Sequence, residues 1–468
     1  MKLSEANLPH IPQRSPNYDR NAVQTGIVHL GIGAFHRAHQ AVFVDDLLAE
    51  DPTWGIVGAS LRTTATAQAL NPQNGLYTLV VRTGTTEEVR IIGSVTEVMV
   101  SGENPSDLIA KMVEPNVRIV SLTITEKGYC HRRSTGGADL DHPDIQYDIS
   151  NPYQPRSAAG MIVAALRVRK ANGIGPFSVM SCDNLPNNGA IARQVVLDLA
   201  QFIDPVLAHW IETQVTFPAT MVDRIVPATT SDDRAHLTHT TGILDAAPVV
   251  SEPFCQWVVE DNFCAGRPAF ETVGVIMTQD VHPFESMKLR LLNGAHSCIA
   301  YAGLRRGHST VAQAVRDKVI LKQVRDLWSE TTATLVPPQG VDLDVYTDAL
   351  ILRFQNEALH HELLQIASDG SQKLPQRVLD PIRDRISTQQ PFIALARIVS
   401  DWLSIVTHKT AAGFTFPLSD PLQAILRPKN GTVSSMELLN VSEVFGADLA
   451  SSEAFHSVIQ GQLVTTED

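Results

Sequence analysis

Residues 287–296 combine the apolar density of a buried helix with three polar side chains that could do chemistry. An α-helix advances about 100° per residue, so Lys288, Leu292 and His296 form one i, i+4, i+8 row. Asn293 lies one turn below His296, and the three polar groups share an arc of about 140°. Burial disfavours a charged lysine and lowers its pKa towards that of a useful base. We interpret this row as a candidate catalytic centre.

A structural interpretation also fits this segment. A lysine on a surface helix can lay its aliphatic stem along apolar neighbours while its ammonium group reaches water. His296 would then be a core histidine with ordinary hydrogen-bond partners. The sequence of this segment is compatible with both interpretations.

The composition limits the classes of protein to consider. At 468 residues the chain exceeds a single core, and its hydrophobic fraction of 44% suits a globular protein. The net charge of −13 argues against nucleic-acid binding. No apolar run approaches the ~20 residues of a membrane span, and the N-terminus lacks the apolar core of a signal peptide. We expect a cytoplasmic monomer or small homo-oligomer without membrane or nucleic-acid partners.

Metal-ligand spacing is absent from the sequence. His36 and His39 stand at i, i+3 without a third ligand, so we expect no metal there. The cysteines are scattered, without C-x-x-C spacing, which suits reduced thiols. They are Cys130, Cys182, Cys255, Cys264 and Cys298.

The elements that must position these groups alternate between strands and helices over the first two-thirds of the chain. We predict strands at 26–30, 54–60, 117–125 and 177–181, a hairpin of 77–82 and 88–93 around 83–85, and helices at 35–50, 161–171 and 190–202. From about residue 283 helices dominate, at 311–329, 347–368, 392–406 and 435–445. This order predicts an α/β fold: a Rossmann-like N-terminal domain with a largely parallel sheet (1–280) and a mostly α-helical C-terminal domain (281–468).

A candidate cofactor loop follows the first predicted strand. Gly31 permits a tight turn, and Gly33 lets the backbone approach a pyrophosphate. Ala34 and Phe35 open the following helix, where free N–H groups favour anions, and Arg37 adds a cation. The third glycine of the usual pattern is missing, so an ordinary strand–helix turn is the alternative.

The second predicted strand leaves the cofactor open. It ends Ala59-Ser60-Leu61-Arg62, without the acidic residue that usually binds the adenosine ribose. Arg62 could accept a 2′-phosphate or face solvent. NAD and NADP therefore both remain possible.

Polar side chains also stand at other predicted strand ends, where parallel sheets bind ligands. They are Asn184 in Ser-Cys-Asp-Asn and Lys127 in Thr-Glu-Lys-Gly-Tyr. An Asx turn is the structural alternative for the first. Asp223 and Arg224 lie in an apolar run, where a structural ion pair is equally possible.

Together these segments resemble the polyol-specific long-chain dehydrogenases, the family of mannitol 2-dehydrogenase and fructuronate reductase. Several independent motifs in the right order carry the resemblance, and the fructuronate reductase branch is the most similar. The matching segments are 27–39, 181–184, 220–227, 288–296 and 369–375, with 126–130 and 369–377 resembling that branch.

The resemblance implies a role for each candidate residue. Lys288 would be a metal-independent acid/base, and Asn184 and Asn293 would stabilise charge on the reacting oxygen. His296 would bind a substrate hydroxyl, and Glu285 would relay protons to solvent. The resemblance assigns Gly31, Gly33, Arg37 and Asp223 to the cofactor site.

The resemblance predicts hydride transfer between NAD(P) and a sugar acid or polyol. The leading hypothesis is D-fructuronate/D-mannonate, which the resemblance to the fructuronate reductase branch implies. A uronate carboxylate needs a fixed cation, for which Lys127 and Lys373 are candidates. Alternatively, Lys127 could contact the cofactor and Lys373 could be an ordinary loop lysine. Mannitol/fructose, or another hexitol or aldonate, is the alternative within the same chemistry. A non-catalytic dinucleotide-binding regulator is the alternative from another class.

Overall fold

The computed structural model describes residues 1–84, 86–102, 104–132, 136–359, 361–407, 409–410, 413–414, 416–428 and 433–464. The chain divides into two units, Met1–His282 and Pro283–Asp468. Thr85, at the tip of the predicted hairpin, lies outside the described residues. Among the helices that are described, none combines the length and the apolar character needed to cross a membrane.

A five-stranded, all-parallel sheet forms the centre of the N-terminal unit. Its strands are β1 (Thr25–Leu30), β2 (Gly55–Ser60), β3 (Val95–Val100), β4 (Ile119–Leu122) and β5 (Ser178–Ser181). Their spatial order is β3-β2-β1-β4-β5, so the chain reverses its direction of progress between β1 and β4. Ligands bind at the carboxyl ends of such strands, beside this reversal. The predicted Rossmann-like fold is confirmed.

Helices cover the sheet because its strands are buried on both faces. The side chains of Ile27, Val28 and Leu30 in β1 are 2% exposed or less. The longest covering helices, Ala158–Ala171 and Asn188–Ile203, contribute Ile162 and Val195 to the same core cluster as Val28. The other helices of this unit are Ala34–Ala38, Gln40–Leu47, Ala65–Leu70, Pro105–Val113, Thr125–Gly128, Pro143–Ser150, Pro205–Gln214 and Ser231–Thr241, with 3₁₀ turns at Glu5–His10, Arg20–Ala22, Pro52–Trp54, Asn71–Gln73 and Phe270–Val273.

Two three-stranded sheets complete this unit. The predicted hairpin is confirmed, because Tyr77–Arg82 pairs antiparallel with Glu87–Ile92. Val249–Ser251 then adds a parallel strand to it. The second sheet consists of Thr220–Asp223, Gln256–Glu260 and Ile276–Thr278.

Three differences from the predicted elements have local causes. The predicted helix 35–50 breaks at His39, whose backbone (φ −127°, ψ −92°) is not helical and whose Nε2 lies 2.8 Å from the carbonyl oxygen of Gln256. The strand predicted to reach residue 125 ends at Leu122, because Thr125 has a φ of 62°. Strand β3 (VTEVMV) was not predicted because Thr96 and Glu97 interrupt its apolar run, although Gly93-Ser94 and Ser101-Gly102 flank it as turn residues.

The C-terminal unit is helical, as predicted. Its central helix, Gly294–Arg305, is buried on every side from Gly294 to Leu304. The predicted helix 311–329 is interrupted at Asp317, whose carboxylate caps the next helix by accepting from the Val319 N–H. The other helices are Val311–Arg316, Lys318–Thr332, Leu343–Phe354, Leu363–Ala367, Gly370–Leu374, Pro375–Leu379, Asp380–Ser387, Ile393–Thr407, Gln423–Leu426, Ser435–Leu438, Ser442–Ala450 and Glu453–Val464, with a short strand pair Lys409–Thr410 and Gly413–Phe414.

Candidate active site

The candidate catalytic segment is a π-helix rather than an α-helix. Lys288–Asn293 forms a π turn between the α-helices His282–Met287 and Gly294–Arg305. In a π turn residues i and i+5 are hydrogen-bonded neighbours, so Lys288 lies one turn from Asn293. The predicted row of Lys288, Leu292 and His296 assumed α-helical spacing, and the π turn rotates Lys288 relative to His296. Such insertions are frequent at functional sites.

Side chains from other helices hold the π turn. The Trp328 indole N–H donates to the carbonyl oxygen of Leu291 at 2.9 Å. The Arg377 guanidinium donates to the carbonyl oxygen of Asn293 at 3.3 Å and to the Ser297 hydroxyl at 3.2 Å. These bonds satisfy carbonyl groups that a widened turn leaves poorly paired.

The three polar side chains of this segment are buried. Lys288 and Asn293 are each 7% exposed and His296 is 9% exposed. A snorkelling lysine keeps its ammonium group in water, so this exposure contradicts the surface interpretation of Lys288. Glu285 lies one turn earlier and is partly exposed.

His296 carries a neutral imidazole with one unused nitrogen. Its ring lies 5.0 Å from that of Phe354 and 5.1 Å from that of His361. Burial, followed by the charges of His361 and Arg377, holds the pKa of His296 well below its ordinary value. Its Nε2 is buried and has no hydrogen-bond partner among the residues that the structure describes. A buried nitrogen of this kind is available to a substrate hydroxyl.

Two further cations belong to this region: Arg377 lies close to His296 and Asn293, and Lys373 lies close to His361, whose ring neighbours that of His296. Lys373 donates to the carbonyl oxygen of Ile366 at 3.1 Å, and burial together with Arg377 lowers its pKa to about 8. Burial lowers the pKa of Arg377 to about 10. Neither forms an ion pair with a carboxylate in the described part of the chain, and the carboxylates of Asp369 and Asp420 offset only part of the lowering of the Lys373 pKa. This part of the unit therefore favours an anion.

Arg377 was not among the predicted site residues. Its signals in the sequence were its place at the end of segment 369–377, which resembles the fructuronate reductase branch, and its i, i+4 spacing from Lys373. Arg377 lies within the π turn Pro375–Leu379, which changes the helix face that it shares with Lys373.

A cleft of about 340 Å³ opens at the carboxyl ends of β1, β2 and β4 in the N-terminal unit. It brings together Gly31, Arg62 and Lys127 from the predicted set. Its other lining residues are Ser60, Leu61, Thr63, Thr123, Ile124, Thr125, Gly128, Cys130, Asp144, Arg156, Ser157 and Ala158. The volume and the position beside the β1/β4 reversal suit a dinucleotide.

The glycine turn brings two backbone segments into close contact. Gly31 has a φ of +96°, and a Cβ there would overlap the carbonyl oxygen of Thr123. The Thr123 hydroxyl donates to the Gly31 carbonyl oxygen at 2.8 Å, and His29 Nε2 lies 2.8 Å from the same hydroxyl. Gly33 caps the helix that starts at Ala34, leaving its first N–H groups for an anion.

Asp183 fixes the loop after β4. Its carboxylate accepts from the N–H groups of Ile124 and Thr125 at 2.9 Å and from the Tyr129 hydroxyl at 2.8 Å. These bonds stabilise the positive φ of Thr125 beside the cleft. Asn184 follows and is exposed. The prediction named Asn184 but missed the positioning role of its neighbour.

Of the predicted cofactor residues, Gly31 and Arg62 line the cleft, whereas its lining does not include Gly33, Ala34, Phe35, Arg37 and Asp223. Arg37 is 8% exposed, donates to the carbonyl oxygen of Ala247 at 2.5 Å and lies over the Tyr77 ring, so its contact with pyrophosphate stays a prediction. Asp223 ends a strand of the separate sheet, opposite Gln256. Both are placed by packing that the sequence does not reveal.

Arg224 has a structural role. Its guanidinium donates to the carbonyl oxygens of Glu252 and Ala38. The Ala38 carbonyl lies at the end of the first helix after the glycine turn. Arg224 therefore ties that helix to the second sheet region.

Gly31→Ala is expected to weaken NADH binding and to destabilise the protein, because the new Cβ would strain a positive-φ turn by about 1–3 kcal/mol. NADH fluorescence titration and thermal unfolding measure the two effects. The control is Gly84→Ala in the exposed hairpin loop, where an added Cβ meets no described atom within 4 Å. Equal melting temperatures and NADH affinities for the two variants would contradict the turn's role.

The parallel sheet of this chain carries a glycine turn that suits a dinucleotide. The chain also buries a lysine beside an amide and a neutral imidazole. These groups are suited to oxidation and reduction at CH–OH groups. Comparison with known proteins identifies the family. The mannitol dehydrogenase Rossmann domain model matches residues 25–272, and the mannitol dehydrogenase C-terminal domain model matches residues 280–466. The chain belongs to the mannitol dehydrogenase family.

Individual relatives match over nearly the whole chain. The uncharacterized oxidoreductase YdfI of Escherichia coli is 44% identical over 94% of this chain and 92% of its own. The D-mannonate oxidoreductase of Escherichia coli is 42% identical over 95% and 94%. The solved Pseudomonas fluorescens mannitol 2-dehydrogenase, a ternary complex with NAD and D-mannitol, is 38% identical with a TM-score of 0.91, over 100% and 97%.

Proposed function

We propose that this oxidoreductase interconverts D-fructuronate and D-mannonate with NAD as cofactor. The observation that carries the proposal is the pair of cations, Arg377 beside His296 and Lys373 beside His361, neither of which forms an ion pair with a carboxylate among the described residues. A uronate carboxylate supplies the missing anion, and a hexitol does not. The 42% identity to a D-mannonate oxidoreductase supports the same substrate class.

Lys288 is the proposed general acid and base. During reduction its ammonium protonates the substrate's carbonyl oxygen, and during oxidation its amine takes the proton from the alcohol. Asn293, one π turn away, donates its amide N–H to the same oxygen as negative charge develops there. The family resemblance assigns the same role to Asn184. Glu285, one turn before Lys288, is the proposed relay to solvent.

His296 orients the substrate. Its neutral ring and unused Nε2 suit a hydrogen bond to a hydroxyl beside the reacting carbon. Lys373 then holds the substrate's far end through the carboxylate.

The cleft of the N-terminal unit is the proposed cofactor site. Bound NAD supplies the hydride acceptor, and NADH the hydride donor. Beside Gly33 an added Cβ would meet only the Gly31 carbonyl oxygen, at 3.8 Å, so the backbone there is open to a pyrophosphate. Arg62 and Lys127 line the cleft and supply positive charge. Lys127 is thereby assigned to the cofactor rather than to the substrate.

Oxidation of NADH and NADPH with fructuronate, tagaturonate and fructose tests the proposal. We expect turnover with fructuronate and NADH. Turnover of fructose alone would overturn the uronate assignment in favour of mannitol/fructose, because the solved relative is a mannitol 2-dehydrogenase. A wild type that turns over no ketose or ketouronate would favour the regulator, which the family assignment does not support.

Substrate binding should depend on pH through Lys373. With a pKa of about 8, lowered by burial and by Arg377, Lys373 is charged at neutral pH and loses its charge as the pH rises through 8. The substrate carboxylate stays ionised, so only the cation is lost. We expect KM for fructuronate to rise between about pH 7 and about pH 9, approaching tenfold per unit above the pKa. KM for fructose, which lacks the carboxylate, serves as the control, and parallel profiles for both substrates would contradict the assignment.

A further inference from the structure

Three metal-ligating side chains meet on the wall of the N-terminal cleft, in the unit that does not carry the catalytic segment. The Cys130 thiol, the His142 imidazole and the Asp144 carboxylate offer one ligand atom each, and these atoms all lie within 4.8 Å of one another. Thiolate, imidazole and carboxylate are the ligands that Zn²⁺ takes in proteins. Their spacing, Cys-x₁₁-His-x-Asp, is not a common zinc pattern, which explains why the sequence predicted no metal here.

The backbone holds these side chains in place independently of any ion. Cys130 has a φ of 51°, and its carbonyl oxygen accepts from the Asp139 N–H at 2.8 Å. His142 is the N-cap of the helix Pro143–Ser150, which carries Asp144 in its first turn. The His142 Nδ1 accepts from the Asp144 N–H at 3.2 Å, so Nδ1 bears the lone pair. A metal ion that binds Nδ1 would replace this hydrogen bond, which is long.

The site is open to an incoming ion. Cys130 is 6% exposed, yet both it and Asp144 line the 340 Å³ cleft. His142 and Asp144 are partly exposed. An ion can therefore enter from solvent and keep a water molecule as its fourth ligand on the cleft side, as zinc sites with three protein ligands do.

The local charge also favours a cation. The carboxylates of Asp144, Asp148 and Asp139 act on the Cys130 thiol, against the opposing charge of Arg62. A divalent cation is attracted by these carboxylates and stabilises the thiolate.

We propose that Cys130, His142 and Asp144 form a non-catalytic Zn²⁺ site whose occupation hinders dinucleotide binding in the adjoining cleft. On binding, the thiol S–H bond breaks, a Zn–S bond forms and the proton passes to the buffer, without any change of oxidation state. The bound ion lies in the same cleft as Arg62 and Gly31 and occupies space that the nucleotide needs.

Cobalt titration of the chelator-treated, dialysed full-length protein tests for the site. We expect a thiolate-to-Co²⁺ charge-transfer band that saturates at one equivalent and is removed by added Zn²⁺. Cys130→Ser should abolish the band and weaken Zn²⁺ binding by at least about tenfold, and Asp144→Asn should weaken it similarly. The control is Cys264→Ser, a partly exposed cysteine outside the cluster, which should leave the band unchanged. A band that survives Cys130→Ser, or no saturable binding by the wild type, would overturn the proposal.

NADH titration with and without Zn²⁺ tests the coupling. We expect Zn²⁺ to raise the Kd for NADH in the wild type and in Cys264→Ser but not in Cys130→Ser. Circular dichroism checks that each variant is folded. An effect of Zn²⁺ that persists in Cys130→Ser, or a Kd unchanged by a bound ion, would contradict it. Neither readout depends on turnover, so the result stands apart from the substrate proposal.

Discussion

Lys288→Ala will lower kcat for fructuronate reduction by about 10²- to 10⁴-fold, the usual contribution of a general acid in its transition state. The proposed proton donor to the reacting oxygen would be gone, and an alanine methyl group would stand one π turn from Asn293. NADH affinity should change little, because the residues that line the nucleotide cleft belong to the N-terminal unit.

Steady-state rates and NADH fluorescence titration measure the two parts of this prediction separately. Lys322→Ala is the matched control, because Lys322 is an exposed lysine that pairs with Asp326 within the helix Lys318–Thr332. Its removal should leave kcat within a factor of about two, as for most surface substitutions. A Lys288→Ala enzyme that keeps most of its turnover would remove the lysine from the mechanism.

Lys373→Met will lower kcat/KM for fructuronate by about 10- to 150-fold, which corresponds to the loss of one charged hydrogen bond worth about 1.5–3 kcal/mol. Methionine keeps the length of the side chain and removes its charge, so the packing around His361 and Ile366 should survive. Turnover of fructose, which offers no carboxylate, should change much less.

Lys127→Met is the informative comparison, because Lys127 was the other candidate for the carboxylate. Lys127 lines the nucleotide cleft, so its loss should weaken NADH binding and leave KM for fructuronate nearly unchanged at saturating NADH. The opposite pattern, with Lys127→Met raising KM for fructuronate and Lys373→Met leaving it unchanged, would exchange the two assignments.

The parallel sheet and the glycine turn could be predicted because their signals are local. Apolar runs such as Ile27–Leu30 predict buried strands, and a glycine pair between strand and helix predicts a close approach. The predicted catalytic segment also followed from residue types alone, since buried polar side chains in an apolar helix need a reason.

The direction of individual side chains could not be predicted. Arg37 follows the glycine turn as a phosphate-binding arginine would, yet it turns into the core because the Ala247 carbonyl and the Tyr77 ring meet it there. The π turn depends on Trp328, 37 residues from the carbonyl to which it donates. Such partners are distant in sequence, and a local pattern carries no trace of them.

The π turn contains one residue more than the α-helical turn it replaces, and this sets the phase between the two ends of the helix. Deleting one residue between Lys288 and Asn293 would restore α-helical hydrogen bonding and rotate Lys288 by about 100° against everything that follows. Gly294–Arg305 is buried all round, so it cannot turn to compensate. The extra residue therefore lets Gly294–Arg305 keep its packing in the core. It also sets the direction of the Lys288 side chain separately from that packing.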